Sequence, residues 1–292
     1  MSKTSIGSFI RIILQLGKAR ISLPVALSAL TGYALHSGTI GIGGLYLMLG
    51  VFLVSCSSSA INHWQEHDTD ALMPRTQKRP IPSGQISPAF ALWVAVAYFV
   101  SGSVVLLLHF PTVAWIAAGL TLMSYNAFYT PLKKITAFAV VPGSLVGALP
   151  PYIGWLADNG SLGSPLIFMV ATFFFIGQIP HFWLLLLMFG KEYRLAGYPS
   201  LNDIFSDSQI KRLSYSWILA TIAAALLIAL KVLIGRTTLF ILIFYIFYLL
   251  FSLSIEIFVK KNLQVRPTFF KLNFLYLFMM VALIVDSLFH RP

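Results

Sequence analysis

Nine apolar runs separate the few charged residues of this chain, and they constrain its fold more than any other feature. Each run approaches the roughly 20 residues that an α-helix needs to cross a bilayer. Across the whole chain 58% of the residues are hydrophobic and 10% are charged. The runs lie at residues 20–36, 43–62, 89–109, 113–130, 137–156, 165–189, 215–234, 238–258 and 270–289. We therefore predict an all-α, polytopic membrane helix bundle of nine transmembrane helices.

The basic residues predict how such a bundle is oriented, because Lys and Arg favour cytoplasmic loops. With the amino end inside, seventeen of the 20 Lys and Arg residues lie on the inner side, and only Lys231, Arg236 and Arg291 lie outside. We predict a multi-pass protein of the inner (plasma) membrane with its carboxyl end outside. The net charge of +11 then reflects topology and attraction to anionic lipid and substrate, and we predict no nucleic-acid partner.

The amino-terminal segment differs from the rest of the chain. Residues 1–19 combine apolar and basic residues at helical spacing, which is typical of an amphipathic helix lying in the membrane interface. Residues 20–292 are predicted to form a single transmembrane domain. Cys56 is the only cysteine, so an intramolecular disulfide and a cysteine-ligated metal cluster are both excluded.

An acidic stretch follows the second apolar run. Asn62, Glu66 and Asp70 recur every four residues, so a continuing helix would place them on one face, with Asp68 pointing elsewhere. Oxygen ligands of this kind suit Mg²⁺, which binds one or two carboxylates together with substrate phosphates. The stretch predicts a metal-bridged polyphosphate site with these four residues as catalytic candidates. The alternative is a solvated turn whose charges face water.

Basic residues supply the complementary half of such a site. Arg75, Lys78 and Arg79 follow the acids in a proline-rich loop, and Arg can bind phosphate through a bidentate fork whereas Lys acts as a point charge. Lys133 and Lys134 lie in the next inner loop. Those two lysines are either topological anchors or further diphosphate contacts.

Three stretches carry a family resemblance. The run N-x-x-x-E-x-D-x-D-x-x-M-x-R-T-x-x-R-P, which begins at Asn62, resembles the first signature of the UbiA-type intramembrane prenyltransferases. Residues 129–155 resemble the central signature of that family, and residues 180–183 with 193–201 resemble its third. The similarity spans roughly residues 20–290, and within the family it is strongest to the haem-farnesylating branch.

The resemblance implies a UbiA-like bundle in which two long cytoplasmic loops cap a central cavity. It implies farnesyl diphosphate as donor, a vinyl group of protohaem IX (haem b) as acceptor, Mg²⁺ as cofactor, and a downstream haem-modifying enzyme as a partner. His181 and Tyr193 become candidates for acceptor binding. The family commonly has two adjacent acids before this tyrosine, whereas this chain has Lys191-Glu192. A second metal would therefore depend on Glu192 together with Asp203 or Asp207.

The sequence leaves alternative functions open. The acceptor could instead be an aromatic quinone precursor. The fifth apolar run holds Pro142, Gly143, Gly147, Pro150 and Pro151, which predicts an irregular segment that is buried in protein or borders a cavity. Broken helices with ionisable residues also occur in transporters. The departure at Lys191-Glu192 leaves room for a catalytically silent assembly factor.

Overall fold

The computed structural model describes residues 6–290, and every regular element within that range is helical. In chain order the helices are α1 (Ile6–Leu16), α2 (Ala19–Ser37), α3 (Gly41–Gln65), α4 (His67–Leu72), α5 (Pro88–His109), α6 (Thr112–Met123), α7 (Thr130–Leu132), α8 (Val140–Gly143), α9 (Leu145–Ala157), α10 (Pro165–Leu195), α11 (Asp207–Lys231), α12 (Arg236–Ser254) and α13 (Val265–His290). A π-helical turn, Ser124–Tyr129, joins α6 to α7. The predicted all-α bundle is confirmed, while Lys3 and Arg291 of the charge count lie outside the described residues.

The predicted count of nine spans is not confirmed. Within residues 6–290, seven helical segments are long and apolar enough to cross a membrane, and α1 with α2 makes an eighth only if this pair, bent by 54°, is one span. The predicted span at 113–130 falls on α6, which has 12 residues. The π-helical turn and α7 continue this helix to Leu132, but the run contains polar residues such as Ser124 and Asn126 and is not among the seven apolar segments.

Backbone contact holds α2 against α9 near the centre of the bundle. A Cβ added at Gly32 would lie 1.8 Å from the Pro151 carbonyl oxygen, and one added at Gly154 would lie 1.7 Å from that of Ala29. Only glycine fits at such crossings, which is how small residues allow membrane helices to pack closely. The fifth apolar run is irregular as predicted, because it divides into a 3₁₀ turn, α8 and α9.

Apolar packing separates an inner and an outer face of the bundle. One large core lies among α10, α11, α12 and α13, and a second lies among α2, α3, α6 and α9. In contrast, α12 leaves a line of aromatic side chains at least 60% exposed, namely Phe240, Phe244, Phe247 and Phe251. Such a line is what a lipid-facing helix presents, and this helix carries none of the candidate site residues.

The two long loops that follow α4 and α10 contact each other. The backbone N–H of Arg75 donates to Glu192 Oε2 at 3.2 Å, and Thr69 Oγ1 lies 2.8 Å from the Tyr198 hydroxyl. Met73 packs against Tyr198 in the same small apolar cluster. These contacts bring the acidic end of α3 and α4 under the loop that follows α10.

Candidate active site

The acidic stripe keeps its helical register across a break. Glu66 leaves helical geometry at φ −118° and ψ 6°, yet its N–H still donates to the Asn62 carbonyl at 3.1 Å, and the Asp70 N–H donates to the Glu66 carbonyl at 2.7 Å. Asn62, Glu66 and Asp70 are therefore buried together, at 1%, 5% and 1% exposure. The Asp68 side chain is 91% exposed and faces His67 at 3.3 Å, as the spacing predicts.

Each residue of the stripe is paired with one basic side chain. Lys18 Nζ donates to Asn62 Oδ1 at 2.7 Å, and Lys133 Nζ lies 2.5 Å from Glu66 Oε1. The third pair joins Arg79 Nη1 to Asp70 Oδ2 at 2.6 Å. We call these six residues the acid–base cluster. Arg79 and Lys133 match the charges of the two carboxylates, while burial and then the Arg79 charge lower the pKa of Lys18 to about 7.

Separate parts of the chain supply the three bases. Lys18 lies at the joint between α1 and α2 with φ 44°, Lys133 follows the last residue of α7, and Arg79 lies in the proline-rich loop. Two hydrogen bonds fix the loop between Asp70 and Arg79. Thr76 Oγ1 donates to the Asp70 carbonyl at 2.8 Å, and the Arg79 N–H donates to the Thr76 carbonyl at 2.9 Å. The cluster therefore depends on tertiary structure.

Glu66 and Lys133 hold each other in their charged forms. Burial alone would raise the pKa of Glu66, but the Lys133 ammonium and then Lys18 outweigh burial and bring that pKa below its usual value. Burial would lower the pKa of Lys133, but the Glu66 carboxylate raises it above its usual value. Both groups therefore stay ionised around neutral pH, as a buried ion pair must to avoid an uncompensated charge.

Hydroxyl groups complete the surroundings of Glu66 and Asn62. Tyr198 donates to Glu66 Oε1 at 3.2 Å, and Asn62 Nδ2 donates to Thr130 Oγ1 at 3.4 Å. Burial and then the Glu66 charge raise the pKa of Tyr198 to about 12, so the phenol stays protonated and can donate. The Tyr198 hydroxyl thus fixes the Glu66 carboxylate from the loop that follows α10.

The donor set of the stripe fits a hard divalent cation such as Mg²⁺. It offers one amide oxygen and two carboxylates, which are the ligand types that Mg²⁺ prefers. Within residues 6–290, no three or more His, Cys, Asp or Glu side chains gather into a group that could hold a metal ion. The remaining coordination positions would therefore come from substrate oxygens and water, which is the usual arrangement for Mg²⁺ beside phosphates.

Comparison with known proteins assigns the family. The UbiA prenyltransferase family matches residues 25–279. The chain belongs to this family. The assignment confirms the expectation of a UbiA-type prenyltransferase, an enzyme of intramembrane prenyl transfer and an integral membrane protein, and it disfavours the transporter alternative.

Sequence relatives of this UbiA-family chain share one name. It is 35% identical over 218 residues to the protoheme IX farnesyltransferase of Oleidesulfovibrio alaskensis, covering 75% of this chain and 77% of the relative. It is 38% identical over 215 residues to the protoheme IX farnesyltransferase of Anaplasma phagocytophilum, covering 72% and 71%. Both alignments extend over most of the two chains.

Solved structures share the fold of this UbiA-family chain. A UbiA homologue from Aeropyrum pernix K1 superposes with a TM-score of 0.72 at 18% identity, covering 91% of this chain and 98% of that one. A UbiA homologue from Archaeoglobus fulgidus, bound to DMAPP and Mg²⁺, superposes with a TM-score of 0.67 at 14% identity, covering 93% and 98%. Both confirm the UbiA-like bundle.

Other residues proposed for the diphosphate lie outside the acid–base cluster. The Arg75 guanidinium stacks over the Phe189 ring at 4.8 Å from its centroid, and Lys78 is exposed. Lys134 donates to the Gln65 carbonyl at 3.4 Å and is also exposed. Of the five proposed bases, the structure brings only Arg79 and Lys133 into the cluster.

The candidates for a second metal do not meet in one place. Glu192 accepts from the Arg75 N–H, whereas Asp203 Oδ2 accepts from the Ser200 N–H at 2.8 Å as part of a capping box. Asp207 Oδ1 accepts from Asn202 Nδ2 at 2.5 Å. The carboxylates of Asp203 and Asp207 serve local capping and loop contacts, because short polar residues at helix starts satisfy free backbone N–H groups.

The acceptor candidates lie on either side of the α10 carboxyl-terminal half. His181 packs its ring 4.8 Å from that of Phe269, and its Nδ1 is buried without a hydrogen-bond partner. Tyr193 lies 5.7 Å, ring to ring, from Tyr198, next to the acid–base cluster. The structure thus places Tyr193 near the cluster and His181 about three turns away along the helix.

Lys18 and Tyr198 are site residues that the sequence analysis did not single out. Lys18 belongs to a segment whose basic residues are explained by the membrane interface, and its partner Asn62 is 44 residues away. The only local signal is Gly17-Lys18 at the junction between an amphipathic and an apolar segment. Tyr198 lies inside the third resembling stretch, five residues after Tyr193, so the resemblance identified the right segment but another tyrosine.

Proposed function

We propose that this chain transfers the farnesyl group of farnesyl diphosphate to a vinyl group of protohaem IX, giving haem O. One observation carries the proposal: a buried cluster that pairs two carboxylates and an amide with basic side chains lies at one end of a UbiA-family bundle. The names of the relatives at 35–38% identity support the choice of donor and acceptor. We place the protein in the inner membrane, where haem O would pass to a haem-modifying enzyme.

The acid–base cluster would bind the diphosphate end of the donor. Asn62, Glu66 and Asp70 would hold Mg²⁺, whose charge stabilises the departing diphosphate. Arg79 and Lys133 would bind phosphate oxygens, since a guanidinium fork and an ammonium both suit these oxygens. When the allylic C–O bond breaks, its electron pair leaves with the diphosphate, and these fixed cations offset the developing charge.

Aromatic faces beside Lys133 would protect the allylic cation. Lys133 Nζ lies 5.6 Å from the Tyr129 ring centroid and 5.5 Å from that of Tyr198. The Tyr129 ring, 9% exposed, also packs 5.6 Å from that of Phe182. Ring faces within about 6 Å stabilise a cation, and burial among helices excludes the water that would capture it.

Farnesyl binding between α2, α3, α6 and α9 would require these helices to move apart. A cavity of about 50 Å³ lies among α2, α3, α6 and α9, lined by side chains that include Val51, Val54 and Ser58. Ser58 is one helical turn before Asn62, so this cavity lies directly below the acid–base cluster. Ligand pockets measure roughly 300 Å³ or more, so a farnesyl chain would need this cavity to widen.

His181 gives the acceptor side a suitable contact. Its ring lies among Phe182, Phe269 and Tyr276, at 5.6, 4.8 and 6.4 Å between centroids. These aromatic surroundings, with the His181 Nδ1 free of hydrogen bonds within residues 6–290, would suit a porphyrin and its iron. The terminal vinyl carbon of haem would bond to farnesyl C1. The cation left on the inner vinyl carbon would then add water and lose a proton.

An acceptor comparison tests the proposal. The full chain in lipid nanodiscs receives isotopically labelled farnesyl diphosphate and Mg²⁺, with haem b in one reaction and an aromatic quinone precursor in another. We expect label in the haem fraction and none in the aromatic product. Label with the aromatic acceptor alone would replace haem by the quinone-precursor alternative. No label with either acceptor would overturn prenyl transfer, as expected of a silent assembly factor.

A further inference from the structure

Every candidate metal ligand in the acid–base cluster already has a basic side chain as its partner. The Asn62 amide oxygen accepts from Lys18 at 2.7 Å, Glu66 Oε1 lies 2.5 Å from Lys133 Nζ, and Asp70 Oδ2 lies 2.6 Å from Arg79 Nη1. The bases therefore contact the same residues that would bind Mg²⁺. The pairing is one to one, and each base comes from a different part of the chain.

A metal ion at these oxygens competes with the bases. Mg²⁺ binds oxygen at about 2.0–2.1 Å, and an ammonium or guanidinium on the same oxygen would face it at contact distance. Like charges so close repel strongly at a site screened from water. Displacing the base without a new partner would leave a cation uncompensated in a mostly buried position, because the Lys133 and Arg79 side chains are only 17% and 23% exposed. Such unpaired charges are strongly unfavourable.

A diphosphate removes this obstacle, because its oxygens can accept the hydrogen bonds that the displaced bases lose. We infer that metal and diphosphate enter the acid–base cluster by a coupled exchange: each base moves from a protein oxygen to a phosphate oxygen while the metal takes the protein oxygen. This inference rests on the proposed metal–diphosphate site. It adds that the metal binds weakly unless the diphosphate is present, and by linkage the reverse also holds.

Metal binding measured without turnover tests the exchange. Purified full-length protein is equilibrated by dialysis against Mn²⁺, used as a counterpart of Mg²⁺, with and without inorganic diphosphate. The excess metal in the protein compartment gives the affinity. We expect diphosphate to tighten Mn²⁺ binding to wild type by about tenfold or more, the size of coupling seen between close charges. Equal Mn²⁺ affinity with and without diphosphate would overturn the inference.

Two matched variants separate exchange from a general charge effect. Lys133→Gln removes the partner of Glu66, whereas Lys134→Gln removes the same charge from the adjacent residue, whose amine contacts the Gln65 carbonyl. With Mn²⁺ alone, Lys133→Gln should bind about tenfold more tightly than wild type, and Lys134→Gln should change far less. Equal tightening in both variants would contradict the exchange. If Lys133→Gln does not fold, the wild-type dialysis still decides.

Failure of the coupled exchange can be distinguished from failure of the proposed function. Coupled binding of Mn²⁺ and diphosphate without any prenyl transfer would keep the exchange and remove the assigned reaction. Haem farnesylation together with tight binding of Mn²⁺ alone would keep the reaction and remove the exchange.

Discussion

At the scale of single residues, burial separates the acidic side chains in and next to α4. Glu66 and Asp70 are inside the acid–base cluster at 5% and 1% exposure, whereas the Asp68 side chain is 91% exposed. A charge in water contributes little to a bound ligand or to stability, while a buried one is strongly coupled to its neighbours. The structure therefore places two of the three acids inside the acid–base cluster and one outside it.

Conservative substitutions test this division. Glu66→Gln and Asp70→Asn keep the side-chain shape but remove a metal ligand charge, so we expect each to lower kcat by about 100-fold or more. Asp68→Asn is the matched control and should stay close to wild type. Gel filtration checks that each variant folds. Turnover that survives both cluster substitutions would show that the acidic stripe does not bind the metal.

The two arginines of the proline-rich loop give a second residue-scale test. Both were candidates from their spacing, but only Arg79 contacts an acid of the cluster, and Arg75 stacks on Phe189. Because Lys cannot reproduce a bidentate contact, Arg79→Lys should raise KM for farnesyl diphosphate about tenfold, by the roughly 1–3 kcal/mol of a charged hydrogen bond. Arg75→Lys should leave KM near wild type. Equal KM values for the two variants would argue against a phosphate contact by Arg79.

At the scale of elements, sequence periodicity predicted features that depend on residues close together in the chain. It missed contacts between segments that are far apart in the chain. The spacing of Asn62, Glu66 and Asp70 identified a shared face, and the prolines and glycines of the fifth run identified an irregular segment. The break at Lys18 and its contact with Asn62 arise from packing between distant segments, which a local pattern does not contain. The span count differed at residues 20–36, which count only if α1 and α2 form one span, and at residues 113–130, which are not among the apolar segments.

The contact between α2 and α9 carries an element-scale prediction. A Cβ at Gly154 would lie 1.7 Å from the Ala29 carbonyl oxygen, whereas nothing lies within 4 Å of a Cβ at Gly119 in α6. Gly154→Ala should therefore cost about 1–3 kcal/mol or more through overpacking. Gly119→Ala should be neutral or slightly stabilising, since Ala favours helix. Thermal unfolding in detergent measures both, and equal melting temperatures would contradict the close crossing.

At the scale of the whole molecule, the direction of the helices sets which side of the membrane the site faces. The loop before α5 and the acid–base cluster lie at one end of α3, and the loop between α9 and α10 lies at the opposite end of the bundle. The basic residues predict that the cluster faces the cytoplasm.

Thiol labelling tests this topology, because Cys56 is the only cysteine and is buried. In a Cys56→Ser background, Ser161→Cys should react with an impermeant maleimide in intact cells. Ser83→Cys should react only after the membrane is permeabilised. Both positions are exposed, so burial cannot explain a difference. The opposite labelling pattern would invert the orientation.

The central claim is that the acid–base cluster of this UbiA-family bundle ionises farnesyl diphosphate for transfer to haem. Mass spectrometry of the haem recovered after incubation with protein, farnesyl diphosphate and Mg²⁺ tests it most directly. The account predicts haem that has gained one farnesyl group and one hydroxyl group, formed by wild type and Asp68→Asn but not by Glu66→Gln. Haem of unchanged mass from the folded wild-type protein, or equal product from Glu66→Gln, would contradict it.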